Sequence, residues 1–544
     1  MKKYLSSSEQ RRTSFVLLIL WLFATAFNFD KAYHVDDTAY LEMARWISQH
    51  PLQPMSGLLS WGADYEAIHY TNQPPLYFYV MAGWGLLFGW SEIAMHMLMS
   101  IFTLWVIFAF YRLVKIVTPE SALLPTVFLG LSPAFVVSQN TMVDIPLLAL
   151  WLEFFRVLLD PKVSNRWRYL LAGCLCSAAL LVKYTSLVLL PALALHIVMV
   201  GGTVRLLWMM LPIGVLFAWS GFNYWEYGGI HMAGRPVVSR PLSAYFNSGM
   251  YWVSVLGAIS PFAGVYFYAR KILSTTKTSR LFWLLVLSIF CCSYLFLMVW
   301  IVVSPTRHMV NLVLQILFLT TGASLLYILI TMSFQKMLTK QLNVSEYILL
   351  CWIVAVAGFV VLLAPFMAAR HVLLALPPIL LLAHSWLLAH IKITAAKYIA
   401  VVLTLALTSL LSLADRWYAD MYRNQAISIK ASLPQDSSIW FNANWGWQWY
   451  AERAGMKLFS KLPGRASPAQ GDYFVTTDSA CCALTLPQSL KLEPVKTIVI
   501  ERATWIQRFA SISFYSSGWQ TWGYSYEPIE KFQIFRVIEN DRAM

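Results

Sequence analysis

The sequence predicts a polytopic α-helical membrane protein that carries a polar α/β domain at its C-terminal end. Hydrophobic residues make up 59% of the 544 positions and charged residues only 12%, about half the charged share of an ordinary soluble domain. The apolar residues gather into runs close to the about 20 positions a helix needs to cross the hydrocarbon layer. Lys and Arg lie in short clusters between these runs, so the net charge of +14 marks membrane orientation rather than a nucleic-acid surface.

Between Phe15 and Ala414 the chain divides into about thirteen candidate spans. They cover residues 14–29, 93–111, 122–137, 142–159, 169–182, 185–200, 206–224, 249–268, 281–303, 309–331, 347–366, 372–390 and 398–413. Lys2, Lys3, Arg11 and Arg12 precede the first run, which lacks a convincing cleavage site and reads as a retained span. Arg112 and Lys115, Lys162 with Arg166 and Arg168, Arg205, the group Arg270, Lys271, Lys277 and Arg280, Lys336 with Lys340, and Lys392 with Lys397 then share one side. The positive-inside rule makes that side cytoplasmic, with the N-terminus. An odd number of spans leaves the tail outside.

The transmembrane part is expected over residues 1–414 and the soluble extracytoplasmic domain over 415–544, where alternating stretches such as 473–476 and 497–500 suggest strands. The first external loop, 30–92, is long. Its apolar stretch 76–88 is too short to span and reads as an interfacial or re-entrant helix. Cys174, Cys176, Cys291, Cys292 and Cys351 sit in apolar segments as small hydrophobes. The adjacent Cys481 and Cys482 receive no role, and no cysteine spacing suggests a metal site.

Acidic residues are scarce, which singles out Asp36 and Asp37 directly after the first span, in His34-Val35-Asp36-Asp37-Thr38-Ala39-Tyr40-Leu41-Glu42. One reading is a solvated helix start, since Asp favours caps and first turns. The other is a general base, a carboxylate at the membrane face that accepts the proton of an acceptor hydroxyl attacking a sugar carbon. A phosphate leaving group needs no general acid, so one carboxylate suffices where glycoside hydrolysis uses two. Asp144 and Lys183 lie at outer span ends, and a charged group at such a depth usually faces a pathway or partner. Snorkelling accounts for a lone lysine. Lys183, Arg307 and Arg370 together, all on the outer side, instead suggest an anionic phosphate.

The order of these features resembles the C-type (GT-C fold) glycosyltransferases that use polyprenyl-phosphate sugars, especially the lipid A aminoarabinose transferases and the protein O-mannosyltransferases. Asp36-Asp37-Thr38-Ala39-Tyr40-Leu41-Glu42 looks like the family's acidic pair after the first span, Gln73-Pro74-Pro75-Leu76-Tyr77 like its Lys-Pro-Pro-Leu-Tyr element, and Val143-Asp144-Ile145-Pro146-Leu147 like its Thr-Asp-x-Pro-Leu element. Lys183 matches a family lysine, Arg370-His371-Val372-Leu373 opens a similar Arg-Tyr segment, and 444–455 resembles the start of the soluble domain in bacterial members. The similarity spans nearly the whole chain. Where the family carries Glu-Lys before the double proline this chain has Asn72-Gln73, so no cofactor is firmly expected; a divalent metal on Asp64, Glu66 and His69 is the less favoured alternative.

The resemblance implies an inverting transferase that moves a monosaccharide from a polyprenyl-phosphate carrier to a lipid, glycan or protein acceptor. Asp36 would be the base, with Asp37 beside it. Lys183, Arg370 and Arg307 would hold the donor phosphate, supported by Asp144, Gln73, Tyr77 and His371. It also implies a monomer in the bacterial inner membrane, in contact with membrane lipids and with no nucleic-acid partner. A lipid-linked-sugar flippase or transporter is the alternative, but it predicts charges within the spans rather than at one outer face. An oligosaccharide ligase using a diphosphate donor would rely mainly on arginines.

Overall fold

The apolar runs fold as helices. The computed structural model describes residues 7–61, 64–71, 73–234, 240–273, 307–388, 393–462, 464–480, 485–510, 514–515 and 520–540. Among the described residues six helices are long and apolar enough to cross a membrane: Glu92–Val117, Tyr184–Gly201, Thr203–Tyr227, Val310–Leu338, Val344–Leu362 and Thr394–Ser432. A seventh is reached if the bent pair Leu242–Ile259 and Pro261–Leu273 counts as one span. The chain is an integral membrane protein.

Several expected spans take a different form. The stretch 249–268 straddles a 92° bend at Ser260, ahead of Pro261; proline cannot donate the hydrogen bond that would continue the helix. The stretch 122–137 divides into Leu123–Gly130 and Pro133–Val137 at the same kind of break. The stretch 372–390 begins as the short helix Ala369–Leu373 and resumes as Leu376–Trp386. The expected span 281–303 lies outside the described residues.

Helix α1 (Ser7–Ala26) leads into a buried turn at 31–35 and then α2 (Asp37–Gln49). The first loop continues through a hairpin, Leu58–Ser60 against Tyr65–Ala67, to α3 (Leu76–Phe88). That helix has the bounds expected of an interfacial element, and Leu86, Leu87 and Phe88 are exposed. Helix α4 (Glu92–Val117) starts at Ser91, whose hydroxyl accepts from the Ala94 N–H, with Glu92 in the first turn, both favourable at a helix N-terminus. Helix α5 (Asp144–Leu159) packs on α4 and is buried along almost its whole length. It is entered through an unwound stretch, 138–143, whose residues are all buried. Irregular backbone at this depth is tolerated because protein surrounds it.

After the long helix Thr394–Ser432, the tail builds a five-stranded sheet in the order Lys457–Leu458, Ile439–Phe441, Tyr473–Thr477, Glu530–Asn540, Leu490–Ile500. The first three strands are parallel, and Glu530–Asn540 runs antiparallel to both of its neighbours. Helix α6 (Trp445–Arg453) joins this sheet to the first loop. Its approach is tight: Ala443 and Trp445 have φ of 76° and 62°, and Gly446 sits against the Tyr33 carbonyl, where an added Cβ would lie 2.7 Å from the oxygen. Trp447 is fully buried, and Tyr450 donates its hydroxyl to Glu92 at 2.8 Å.

Candidate active site

The turn before α2 separates two adjacent carboxylates. Val35 has φ of 49°, a left-handed conformation costly for a β-branched side chain. The turn closes with the His34 N–H donating to Asp37 Oδ2 at 2.8 Å. Asp37 is fully buried and its Oδ1 accepts from the Thr141 hydroxyl at 2.9 Å. Asp36 occupies the position that caps α2 yet makes no side-chain capping bond. Its carboxylate instead accepts from Arg370 Nη2 at 2.9 Å, with 16% of the side chain exposed. The capping explanation of Asp36 therefore does not hold.

Arg370 sits at the centre of a charge cluster. Its Nε lies 3.5 Å from Asp144 Oδ2, while Asp144 Oδ1 accepts from Lys183 Nζ at 2.8 Å. Two cations and two carboxylates are joined in series, Asp36 to Arg370 to Asp144 to Lys183. Arg370 Nη1 has only a weak polar partner, the Met142 sulfur at 3.3 Å, and the guanidinium lies over the Phe366 ring. A thioether is a poor acceptor, so a phosphate oxygen would be a better partner there.

Beside the cluster lies a cavity of about 330 Å³. Gln73, Lys183, Tyr184, Thr185, Arg370 and His371 line one part, and Phe359, Leu363, Phe366 and Leu374 line another. One wall suits an anion and the other a hydrocarbon chain. The Tyr184 hydroxyl accepts from Trp219 Nε1 at 2.9 Å and meets His231 Nδ1 at 2.8 Å, while His231 Nε2 contacts the Thr71 carbonyl at 2.9 Å. These contacts fix the cavity wall to the first loop.

Of the residues expected from sequence, Asp36, Asp144, Lys183 and Arg370 meet directly, and Gln73 and His371 reach the same cavity. Asp37 does not line the cavity and is engaged by the His34 N–H and the Thr141 hydroxyl. Tyr77 does not line the cavity; it is buried in α3 against Phe78 and Phe102. Arg307 begins the helix Arg307–Leu338, and its side chain lies outside the described residues. Asp64 is engaged elsewhere, accepting from the Ser460 hydroxyl at 2.6 Å and the Lys461 N–H at 2.8 Å. No group of three or more His, Cys, Asp or Glu side chains placed to hold a metal occurs among the described residues. The Asp36 and Asp144 carboxylates are already matched by Arg370 and Lys183, a poor fit for a divalent ion, and no chemical step is assigned to one.

Burial outweighs Arg370 in raising the Asp36 carboxyl above its ordinary range, with Asp144 adding to the rise. Burial raises Asp37 further, to about 7, against the pull of Lys31 and of the hydrogen bonds from His34 and Thr141. His34, also buried, is lowered to about 4.

The sequence singles out the stretch 140–146 for Asp144, but not the contacts that Asn140, Thr141 and Met142 make, nor the group around Lys31. Thr141 contacts Asp37, Met142 contacts Arg370, Asp144 binds Lys183 and Arg370, and Asn140 accepts from Lys31. Lys31 follows the same logic as Lys183, a lysine at the outer end of a span, and that signal was available in the sequence.

Residues 72–225 match the family model of the dolichyl-phosphate-mannose-protein mannosyltransferases. The match falls on the family to which the motifs point, and it contains Gln73, Asp144 and Lys183 but neither Asp36 nor Arg370. Among solved structures the chain is similar to ArnT from Cupriavidus metallidurans bound to undecaprenyl phosphate, at 15% identity over 87% of this chain and 94% of that one, with a TM-score of 0.42. It is also similar to the oligosaccharyltransferase AglB from Archaeoglobus fulgidus in complex with an inhibitory peptide and a dolichol-phosphate, at 11% identity over 87% of this chain and 70% of that one, with a TM-score of 0.49. No curated protein sequence matches the chain.

Proposed function

We propose that this protein is an inverting glycosyltransferase that moves a monosaccharide from a polyprenyl-phosphate carrier to a hydroxyl-bearing acceptor on the extracytoplasmic face of a bacterial inner membrane. The observation that carries the reading is the series Asp36–Arg370–Asp144–Lys183 beside a cavity with one cationic and one apolar wall. The donor phosphate binds Lys183 and Arg370, and the isoprenoid chain lies against Phe359, Leu363 and Phe366. The family match over 72–225 supports a lipid-phosphate sugar donor.

In the transfer, the Asp36 carboxylate takes the proton of the acceptor hydroxyl. The acceptor oxygen attacks the anomeric carbon from the face opposite the phosphate, and the bond from that carbon to the phosphate oxygen breaks. The electron pair leaves with the carrier phosphate. A single displacement inverts the centre. The charge balance favours it: as the phosphate gains negative charge, the proton reaching Asp36 turns a neutral four-residue cluster positive. Preorganised charges aimed at a leaving group are an effective form of catalysis.

The test is transfer of labelled sugar from synthetic polyprenyl-phosphate donors by the purified protein, with membranes as the acceptor source. Transfer with inversion supports the reading. Movement of the lipid between vesicle leaflets, with no transfer from any donor, would replace it with the flippase.

A further inference from the structure

A second set of buried polar groups lies behind the acidic pair. Lys31 is fully buried; its Nζ donates to Asn140 Oδ1 at 2.5 Å and to Asp415 Oδ2 at 3.0 Å. The Tyr515 hydroxyl lies 3.0 Å from each Asp415 oxygen and accepts from Asn140 Nδ2 at 2.9 Å. His34 packs edge-on between the Tyr418 and Tyr515 rings, and its Nε2 is 3.8 Å from Asp415 Oδ1. Four distant parts of the chain meet here: the turn after α1, the unwound 138–143, the helix Thr394–Ser432 and the C-terminal segment.

A buried ion pair is expensive to assemble and seldom stabilises more than an apolar pair of equal volume would. Here Lys31 contacts Asn140, whose neighbour Thr141 donates to Asp37, in the strip that also binds Arg370 and Lys183. We propose that Lys31 is a positioning residue for the transfer reaction: its ammonium, anchored by Asp415 and through Tyr515 by the C-terminal segment, favours the carboxylate form of Asp37 over the acid form that burial favours, and that carboxylate holds the strip 140–144 in register. This rests on the transferase reading. As a carboxylate, Asp37 accepts two hydrogen bonds, from the His34 N–H and the Thr141 hydroxyl; protonation weakens it as an acceptor and loosens Thr141, three residues from Asp144.

The charged and titratable groups facing Asp37 are Lys31, Tyr33, His34 and Asp36 from the preceding turn, Tyr40 from its own helix, Tyr77 from α3, and Tyr515 from the C-terminal segment. With His34 lowered to about 4 and so neutral near pH 7, Lys31 is the other basic side chain in that group. The Lys31 charge acts on the Asp37 carboxyl against the rise that burial causes.

The test is a pH titration of the Asp37 carboxyl band by difference infrared spectroscopy on the full-length protein, the band being assigned by its loss in Asp37→Asn. In the doubly neutral Lys31→Met/Asp415→Asn variant, the midpoint moves up by about one pH unit or more. Asp415→Asn alone removes the carboxylate paired with the Lys31 ammonium, so the Asp37 midpoint moves down. If only one variant folds, its predicted direction decides. The acid limb of the transfer rate moves in step with the band. An unmoved midpoint overturns the proposal, as does a moved midpoint with an unmoved acid limb, which reduces Lys31 to a structural role. Moved midpoints in a protein that transfers from no donor sink the transferase reading and leave the coupling between Lys31 and Asp37 standing.

Discussion

Asp36 and Asp37 are neighbours in sequence with different partners, and the left-handed Val35 is what parts them. Asp36 faces Arg370 and keeps some exposure, while Asp37 is sealed against Thr141 and the turn. A stability prediction follows from the raised Asp37 carboxyl. Its folded value of about 7 lies above the ordinary 3.8, so the folded state binds this proton more tightly than the unfolded chain. The stability it contributes is fully present below pH 3.8 and is lost as pH rises through about 7. Thermal unfolding from pH 5 to 8 should therefore show a decline in the wild type that flattens in Asp37→Asn. Equal slopes in both proteins would remove Asp37 as the source. The pairing of these two acids was legible from their scarcity. Their separate partners were not, because these depend on one backbone dihedral at Val35 that no side-chain pattern encodes.

At the scale of elements, the strip 140–144 carries the site. The end of the unwound stretch and the first residue of α5 together supply a contact to each of Lys31, Asp37, Arg370 and Lys183. Asp144 alone neutralises part of two cations and is 2% exposed. Asp144→Asn leaves Lys183 and Arg370 short of a counter-charge, and removing one partner of a buried pair costs about 3–5 kcal/mol. Thermal unfolding of Asp144→Asn should fall clearly below the wild type, and donor affinity should fall with it as Arg370 drifts. A variant of wild-type stability would show that Asp144 is dispensable to the cluster. The sequence placed Asp144, Lys183 and Arg370 on one side of the membrane through the charge bias of the loops. It could not pair them, since 39 residues separate the first two and a further 187 the third.

Across the whole molecule, the tail and the first loop act as one body around the site. Gly446 presses on the Tyr33 carbonyl, Tyr450 donates to Glu92, and Tyr515 reaches the Lys31 pair. Gly446→Ala should lift helix α6 from the first loop and lower transfer several-fold, while helical content measured by circular dichroism stays that of the wild type. Undiminished transfer would show that this seam is ornamental to the reaction. Two of the five strands of the tail, Tyr473–Thr477 and Leu490–Ile500, fall where the sequence alternates. The docking of the tail was not readable, since the aromatic residues that make it read equally well as an internal core. The bend at Ser260 and the break at 131–132 were hidden for a related reason: apolar composition continues through both, and only the prolines at 261 and 133 mark them.

In the proposed transfer Asp36 is the base and Arg370 with Lys183 the phosphate clamp. The most direct measurement is single-turnover sugar transfer by Asp36→Asn, set beside its affinity for the polyprenyl-phosphate donor. Asparagine keeps the shape and can still accept from Arg370, so donor affinity should stay within a few-fold of the wild type. The transfer rate should fall by about 10²–10⁴, the usual contribution of a positioned general base. Transfer at the wild-type rate, or a loss confined to donor affinity, would contradict the assignment and move the chemistry away from Asp36.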